Sequence, residues 1–362
     1  MMIRAIFRTS LPALALWVLT GQIAGCENAY VANNYDGTIS VINTVTDKVM
    51  ATISAGKQPW AVAVTPYGKR LYISNHRAIN MVTAVNSEVT AIETATHAIL
   101  ASITLDNQGP ANGLAISPDG SDVYVTTGHR AIEDANAVTV INTKTNQISA
   151  RKVMPHPDND IRFPYAVAVS PDGKSLYVVH REGVGCITVI DTATRKVVRE
   201  IFLFGEGKES HASSSVAISP DGKTLYVAGE SGAPFAVADV ASGRVSFPVG
   251  NLPPLSAMAL SPDGRRIYIA GEQTGTAVAL DTKTFAMIPS AGISRSGATL
   301  YVGDSKAIAF TPDGRKAYIT DSAGNQVFVI DVATNAVIGK IPVGRFPLGI
   351  AIGKAPSKPS AK

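Results

Sequence analysis

Cysteine is nearly absent: Cys26 and Cys186 are the only two in 362 residues. Neither a disulfide framework nor a Cys-x-x-Cys redox pair can be built from them. Tryptophan is equally scarce, limited to Trp17 and Trp60. The chain also lacks an HExxH metal motif, a GxSxG nucleophile elbow, a Walker loop and a haem-attaching CxxCH. No recognisable catalytic triad stands out. No apolar run reaches the ~20 residues that span a bilayer. Charge of either sign is also in short supply. The formal net charge is +4, but setting aside Arg4, Arg8 and the tail lysines Lys354, Lys358 and Lys362 leaves 27 basic against 28 acidic residues. A near-neutral body carries no global footprint for nucleic acid.

What the chain does have is repetition. Seven tyrosines, Tyr30, Tyr72, Tyr124, Tyr177, Tyr226, Tyr268 and Tyr318, each sit in a short β-like run. Their separations are 42, 52, 53, 49, 42 and 50 residues. Such a period with strand-type runs means repeated four-stranded units, because one such sheet cannot bury both of its faces alone. One unit occupies residues 166–201. Ala166 to Ser170 is a small-residue run suited to a strand buried on both sides. Pro171, Asp172 and Gly173 then turn the chain, with Pro presetting φ and Gly accepting a positive one. Leu176 to Val179 returns, carrying Tyr177 to pack between sheets. Ile187 to Ile190 is a third strand ended by Asp191 and Thr192, and Val197 to Ile201 a fourth.

The Pro-x-Gly hairpin recurs six times, at Pro66, Pro118, Pro171, Pro220, Pro262 and Pro312. The turn after the third strand recurs seven times, at Asn43, Glu93, Asn142, Asp191, Asp239, Asp281 and Asp331. The missing hairpin is explained if Leu348 to Ile352 is an innermost strand that pairs with the strand at Tyr30. The expected fold is therefore all-β: a seven-bladed β-propeller of four-stranded antiparallel blades. Pairing of the N- and C-terminal strands closes the ring, which leaves no free inner edge. These features resemble the YVTN family of bacterial and archaeal β-propeller repeat proteins, over roughly residues 29 to 353. The resemblance rests on the SPDG turn with its Leu-Tyr-Val-like strand, and on VIDT followed by a run ending near Pro-x-Gly, as at Ile341 to Gly344. It implies the fold and leaves the function open, since the family's members differ in role.

Residues 1–25 read as a secretory leader, with Arg4 and Arg8 ahead of the apolar stretch 11–19. Ile23-Ala24-Gly25-Cys26 is similar to the bacterial lipobox. That implies cleavage before Cys26, a diacylglyceryl anchor on it, and a propeller domain over 26–353 facing the periplasm or cell exterior. The competing reading is an ordinary signal with Cys26 merely near the cut. Cys186, in a strand-like run, reads as a small buried hydrophobe. The tail 354–362 is rich in Pro, Ser and Lys, a composition of disordered segments.

Extra residues in the longer repeats fall in two loop types that leave a propeller on one face, and repeat insertions mark a binding face. Three consecutive blades end their second strand with the same pair: His76-Arg77, His129-Arg130 and His180-Arg181. The next three place Glu230, Glu272 and Asp321 there, so the rim is expected to be cationic over one arc and anionic over the other. Repeat duplication without selection for chemistry is the competing explanation of the pairs. Three neighbouring imidazoles, His76, His129 and His180, are a candidate transition-metal set. The arginines point instead to a carboxylate or phosphate held by forked hydrogen bonds. Trp60, Tyr165 and Phe346 each flank a proline where, by the resemblance, the innermost strand begins. They either line the channel entrance or pack between blades. Trp60 is the first choice for a ligand contact.

The expectation is a non-catalytic binding or interaction scaffold, with the membrane engaged through Cys26. Its partner is another envelope protein or a small anionic ligand. No cofactor is evident beyond the candidate metal. Two alternatives remain. One is a metal-assisted lyase or lactonase in which His129, His180, Glu230 and Glu272 supply acid and base. The other is an accessory of a periplasmic quinoprotein or haem redox system.

Overall fold

The computed structural model describes residues 27–355 apart from 77–86, 106–108, 129–134, 154–162, 182–184, 205–212, 230–233, 251, 253–256, 272–274, 291–298 and 302–304. Its 28 strands form seven four-stranded antiparallel sheets. In chain order, blades 2 to 7 occupy residues 59–104, 111–153, 164–202, 213–246, 257–301 and 305–342. Each runs from the axis outward in strand order. Blade 1 differs. Its outer three strands are Glu27–Asn33, Thr38–Asn43 and Lys48–Ser54, and its innermost strand is Pro347–Lys354 from the other end of the sequence. The expected closure is therefore observed, and it explains the six hairpins.

Hydrophobic burial lies between blades rather than at one centre. Seven clusters each join two neighbouring sheets, as where Ala29, Val31 and Ile350 of blade 1 meet Tyr318, Val327 and Val329 of blade 7. All seven repeat tyrosines are at most 5% exposed. Three reach across to the next blade. The Tyr72 hydroxyl donates to Asn146 Oδ1 at 2.8 Å, Tyr268 to Asn335 Oδ1 at 2.7 Å, and Tyr318 to the Asp47 carboxylate. Asp47 also receives Lys316 Nζ at 2.6 Å, so one blade 1 carboxylate is held by two blade 7 side chains. Burial, with the bond to Asp47, pushes the Tyr318 hydroxyl far above its usual range.

Both turn types are side-chain-directed. In the hairpin of blade 4, Ser170 Oγ donates to Asp172 Oδ1 at 2.6 Å and accepts from the Ser175 amide at 2.9 Å. Gly173, at φ 73°, donates its amide to the Ser170 carbonyl. Serine hydroxyls hold Asp119, Asp172, Asp221 and Asp263 below the usual carboxylate range. After the third strand, Asp191 Oδ1 accepts from the Thr194 amide and hydroxyl, both at 2.7 Å. The residue that follows, Arg195, is left-handed at φ 58°.

Strand bounds match the sequence reading to within two residues, with one instructive difference. The inner strand of blade 4 starts at Pro164, not Ala166, because a bulge interrupts its pairing between Pro164 and Ala166. Nor is that strand buried on both sides: Tyr165 to Val169 are partly exposed, since the innermost strands border the axis.

Candidate functional site

The inner strands place the site. Bulges or register shifts interrupt their upper ends in six blades, at Pro59/Val62, Ala111/Leu114, Pro164/Ala166, Ser213/Ser215, Ser305/Ile308 and, opposite the last strand, Val31/Asn33. A bulge breaks the two-residue alternation of a strand and re-aims side chains. Hydroxyls from the second strands fill the gaps it leaves. Ser74 Oγ accepts the Ala61 amide at 3.0 Å, Thr126 Oγ1 the Gly113 amide at 2.9 Å, and Thr320 Oγ1 the Ala307 amide at 3.0 Å. Thr126 and Thr320 then donate to the carbonyls of Tyr165 and Leu348 in the following blades. Two consecutive residues of each inner strand, and three in blade 7, face the axis.

They enclose an axial funnel of ≈ 430 Å³ to which all seven blades contribute. Its charged lining residues are Arg181 and Lys306, with no acidic residue in the described wall. Trp60, Tyr165 and Phe346 supply aromatic surface, so of the two readings of these rings the axial one holds. Each ring is backed by a second group. Trp60 stacks on the His76 imidazole at 4.2 Å and 8°, and Phe346 on Tyr35 at 4.4 Å and 6°. The Arg181 guanidinium sits 5.1 Å from the centre of the Tyr165 ring, a cation–π distance. Phe346 is left-handed at φ 56°, unusual for a bulky residue. Asn325 Oδ1 accepts its amide at 2.8 Å, and the Asn34 amide donates to its carbonyl at 3.0 Å.

His76 Nε2 lies 2.8 Å from the Ala111 carbonyl. As a donor there, it joins blade 2 to blade 3 and fixes the tautomer. Burial lowers its pKa to about 4, against the opposing effect of the Ala111 bond. Between pH 6.5 and about 4 the unfolded chain thus takes up a proton that the folded one refuses. Stability contributed here is present above pH 6.5 and is lost as pH falls through this window, by up to about 3 kcal/mol. Urea midpoints measured across the window are expected to fall more steeply for the parent than for His76→Gln. Equal slopes would show that the imidazole is not held neutral. The turn aspartates, with depressed pKa values, lose their contribution only at lower pH.

The sequence candidates divide as follows. Trp60 and Arg181 line the funnel, and His76 stands behind Trp60. His180, expected to be part of the rim, is the last residue of the strand Ser175–His180 and is only 1% exposed. Its Nε2 meets Thr188 Oγ1 of the same blade at 2.9 Å. Asp321 also corrects its expectation as a rim anion. It is 4% exposed and caps its own hairpin, accepting from the Gly324 amide at 2.9 Å and Gln326 Nε2 at 2.8 Å. The anionic arc loses that member. Arg77, His129, Arg130, Glu230, Glu272 and Cys26 lie outside the described residues. Among the described residues no three His, Cys, Asp or Glu side chains gather as a metal set. Cys186 is buried and forms no disulfide among the described residues.

Sequence reasoning missed Lys306, Asn112 and Ser214. A signal was available: Trp60, Asn112, Tyr165, Ser214 and Lys306 each lie six residues before a hairpin proline. Asn112 is also structural, donating Nδ2 to the Pro164 carbonyl at 3.2 Å.

No family model and no curated protein match the chain in sequence. Solved structures do match in shape. Hydrazine synthase from Kuenenia stuttgartiensis superposes with a TM-score of 0.67 at 21% identity, covering 84% of this chain and 92% of that one. A functionally unknown protein from Desulfotomaculum acetoxidans gives 0.69 at 16%, over 91% and 99%. The periplasmic gluconolactonase of Pseudomonas aeruginosa gives 0.68 at 17%, over 91% and 99%. Identities this low carry architecture and not activity: what the chain shares with these proteins is the seven-bladed β-propeller.

Proposed function

We propose that the chain is an exported propeller of the YVTN-repeat type, held at a bacterial membrane through a lipid on Cys26. Its axial funnel binds a small organic anion without converting it. One observation carries this reading: the charged groups of the described funnel wall are both cationic, Arg181 and Lys306, and they stand among aromatic faces. A concave, largely apolar site with a few placed polar groups is the usual form of a small-molecule pocket, with volumes of about 300–1,000 Å³. General acid–base chemistry needs a group within reach of the substrate that gains or loses a proton near neutrality. The described wall holds no carboxylate, and the imidazole behind Trp60 is committed to Ala111.

The test uses the full chain with Cys26→Ser, titrated calorimetrically with carboxylates and phosphates and assayed against a set of lactones. Binding of an anion, lost in Arg181→Gln/Lys306→Gln, is the expected result. Lactone hydrolysis above background that disappears in the same double variant would replace the binding reading with the enzymatic one.

A further inference from the structure

Resting on the reading of the funnel as an anion site, we infer that its ligand is a flat organic dianion: two acidic groups held apart by an aromatic or similarly planar spacer. The argument is the order of side chains around the ring. Arg181 belongs to blade 4 and Lys306 to blade 7. Three steps is the greatest separation two positions can have in a ring of seven, so the cations face each other across the axis. A lone inorganic anion is best held by donors converging on one point, and the described wall does not supply that arrangement. A ligand charged at both ends reaches both cations at once.

The aromatic faces define what lies between. Phe346 stands at the entry to the inner strand of blade 1, beside blade 7 and Lys306, and Trp60 on blade 2. Tyr165 stands at blade 4 beneath Arg181. Along this side the described wall thus presents rings at blades 1, 2 and 4, with Asn112 and Gly113 of blade 3 between the last two. Those rings are already oriented by His76, Tyr35 and Arg181, so little rotamer freedom is lost on binding.

The probes are benzene-1,4-dicarboxylate, benzoate, succinate and inorganic phosphate, titrated into the Cys26→Ser full chain. The aromatic dicarboxylate is expected to bind at least about tenfold more tightly than benzoate or succinate, from the second charged contact or the ring contact each lacks. Arg181→Gln and Lys306→Gln should each cost the dicarboxylate about tenfold or more and change benzoate less. Phe346→Gly removes a ring while relaxing its backbone, so the variant folds; it should weaken the dicarboxylate and leave succinate unchanged. Urea midpoints confirm that each variant is folded. Equal binding of succinate or phosphate would overturn the spacer and leave the anion site standing. Absence of binding by all four probes would overturn both.

Discussion

Ending the chain at Gly344 abolishes cooperative unfolding, whereas ending it at Ala355 preserves it. The strand Pro347–Lys354 is the innermost strand of blade 1, paired with Glu27–Asn33 over six registered positions. It also lies against the inner strands of blades 2 and 7, Pro59–Val64 and Ser305–Phe310. Removing it exposes the inner edge of Glu27–Asn33 and deletes Leu348 and Ile350, both under 9% exposed. Those two side chains alone account for about 3–6 kcal/mol of burial, against a typical net stability of about 5–15 kcal/mol. The Thr320 hydroxyl and the Asn34 amide would also lose the carbonyls of Leu348 and Phe346. The expected result is no sharp urea transition, weak near-ultraviolet circular dichroism and rapid proteolysis. A synthetic peptide of residues 345–355 added in trans should restore the transition. Retention of a sharp, parent-like transition without residues 345–362 would show that ring closure is not what holds the blades together.

Substitution of Gly68 by alanine is expected to be far more damaging than the same change at Gly120, Gly173 or Gly222. All six hairpin glycines have φ between 69° and 75°, a conformation costing an L-residue about 1–2 kcal/mol. Their surroundings differ. A Cβ on Gly120, Gly173 or Gly222 would lie 3.2, 3.4 or 3.5 Å from Cδ of the hairpin proline one blade earlier. Blade 1 has no such hairpin, and Gly68 packs on the strand that replaces it. There a Cβ would lie 1.9 Å from the Lys354 carbonyl oxygen, which is backbone and cannot turn aside. Relief requires the closing strand itself to shift. Gly173→Ala should cost about 1–2 kcal/mol, and Gly68→Ala on the order of 4 kcal/mol or more, in the range reserved for steric or cavity defects. Urea midpoints at unchanged slope measure the difference. Equal losses at the two positions would mean that Lys354 does not run beneath the Gly68 hairpin.

Much of this molecule was legible from residue types and spacing. The tyrosine period and the six-to-seven mismatch between hairpins and third-strand turns specified both the blade count and the way the ring closes. Local chemistry is enough for that: Pro-Asp-Gly and the Asx–Thr turn act through their own backbone, a few residues away. The candidate site was legible only in pieces. Trp60, Tyr165 and Phe346 were marked by their prolines, yet lining the axis and packing between blades looked alike. The His-Arg pairs looked equivalent as letters. In space His76 backs a funnel ring and His180 is sealed inside its blade, because one sits just past a strand end and the other is the strand's last residue. Asp321 was read as a rim charge and is a hairpin cap, for the same reason.

The sequence by itself determined the architecture, because strand alternation, turn residues and repeat length are properties of consecutive positions. Only the tertiary structure decided that the position six residues before a hairpin proline faces the axis, and that Arg181 joins it there. Bulges at the inner strand ends break the alternation, and closure of seven sheets brings Arg181 and Lys306, 125 residues apart in the chain, into one wall. No local pattern encodes that meeting, since it depends on how seven independent sheets are arranged about an axis that none of them contains.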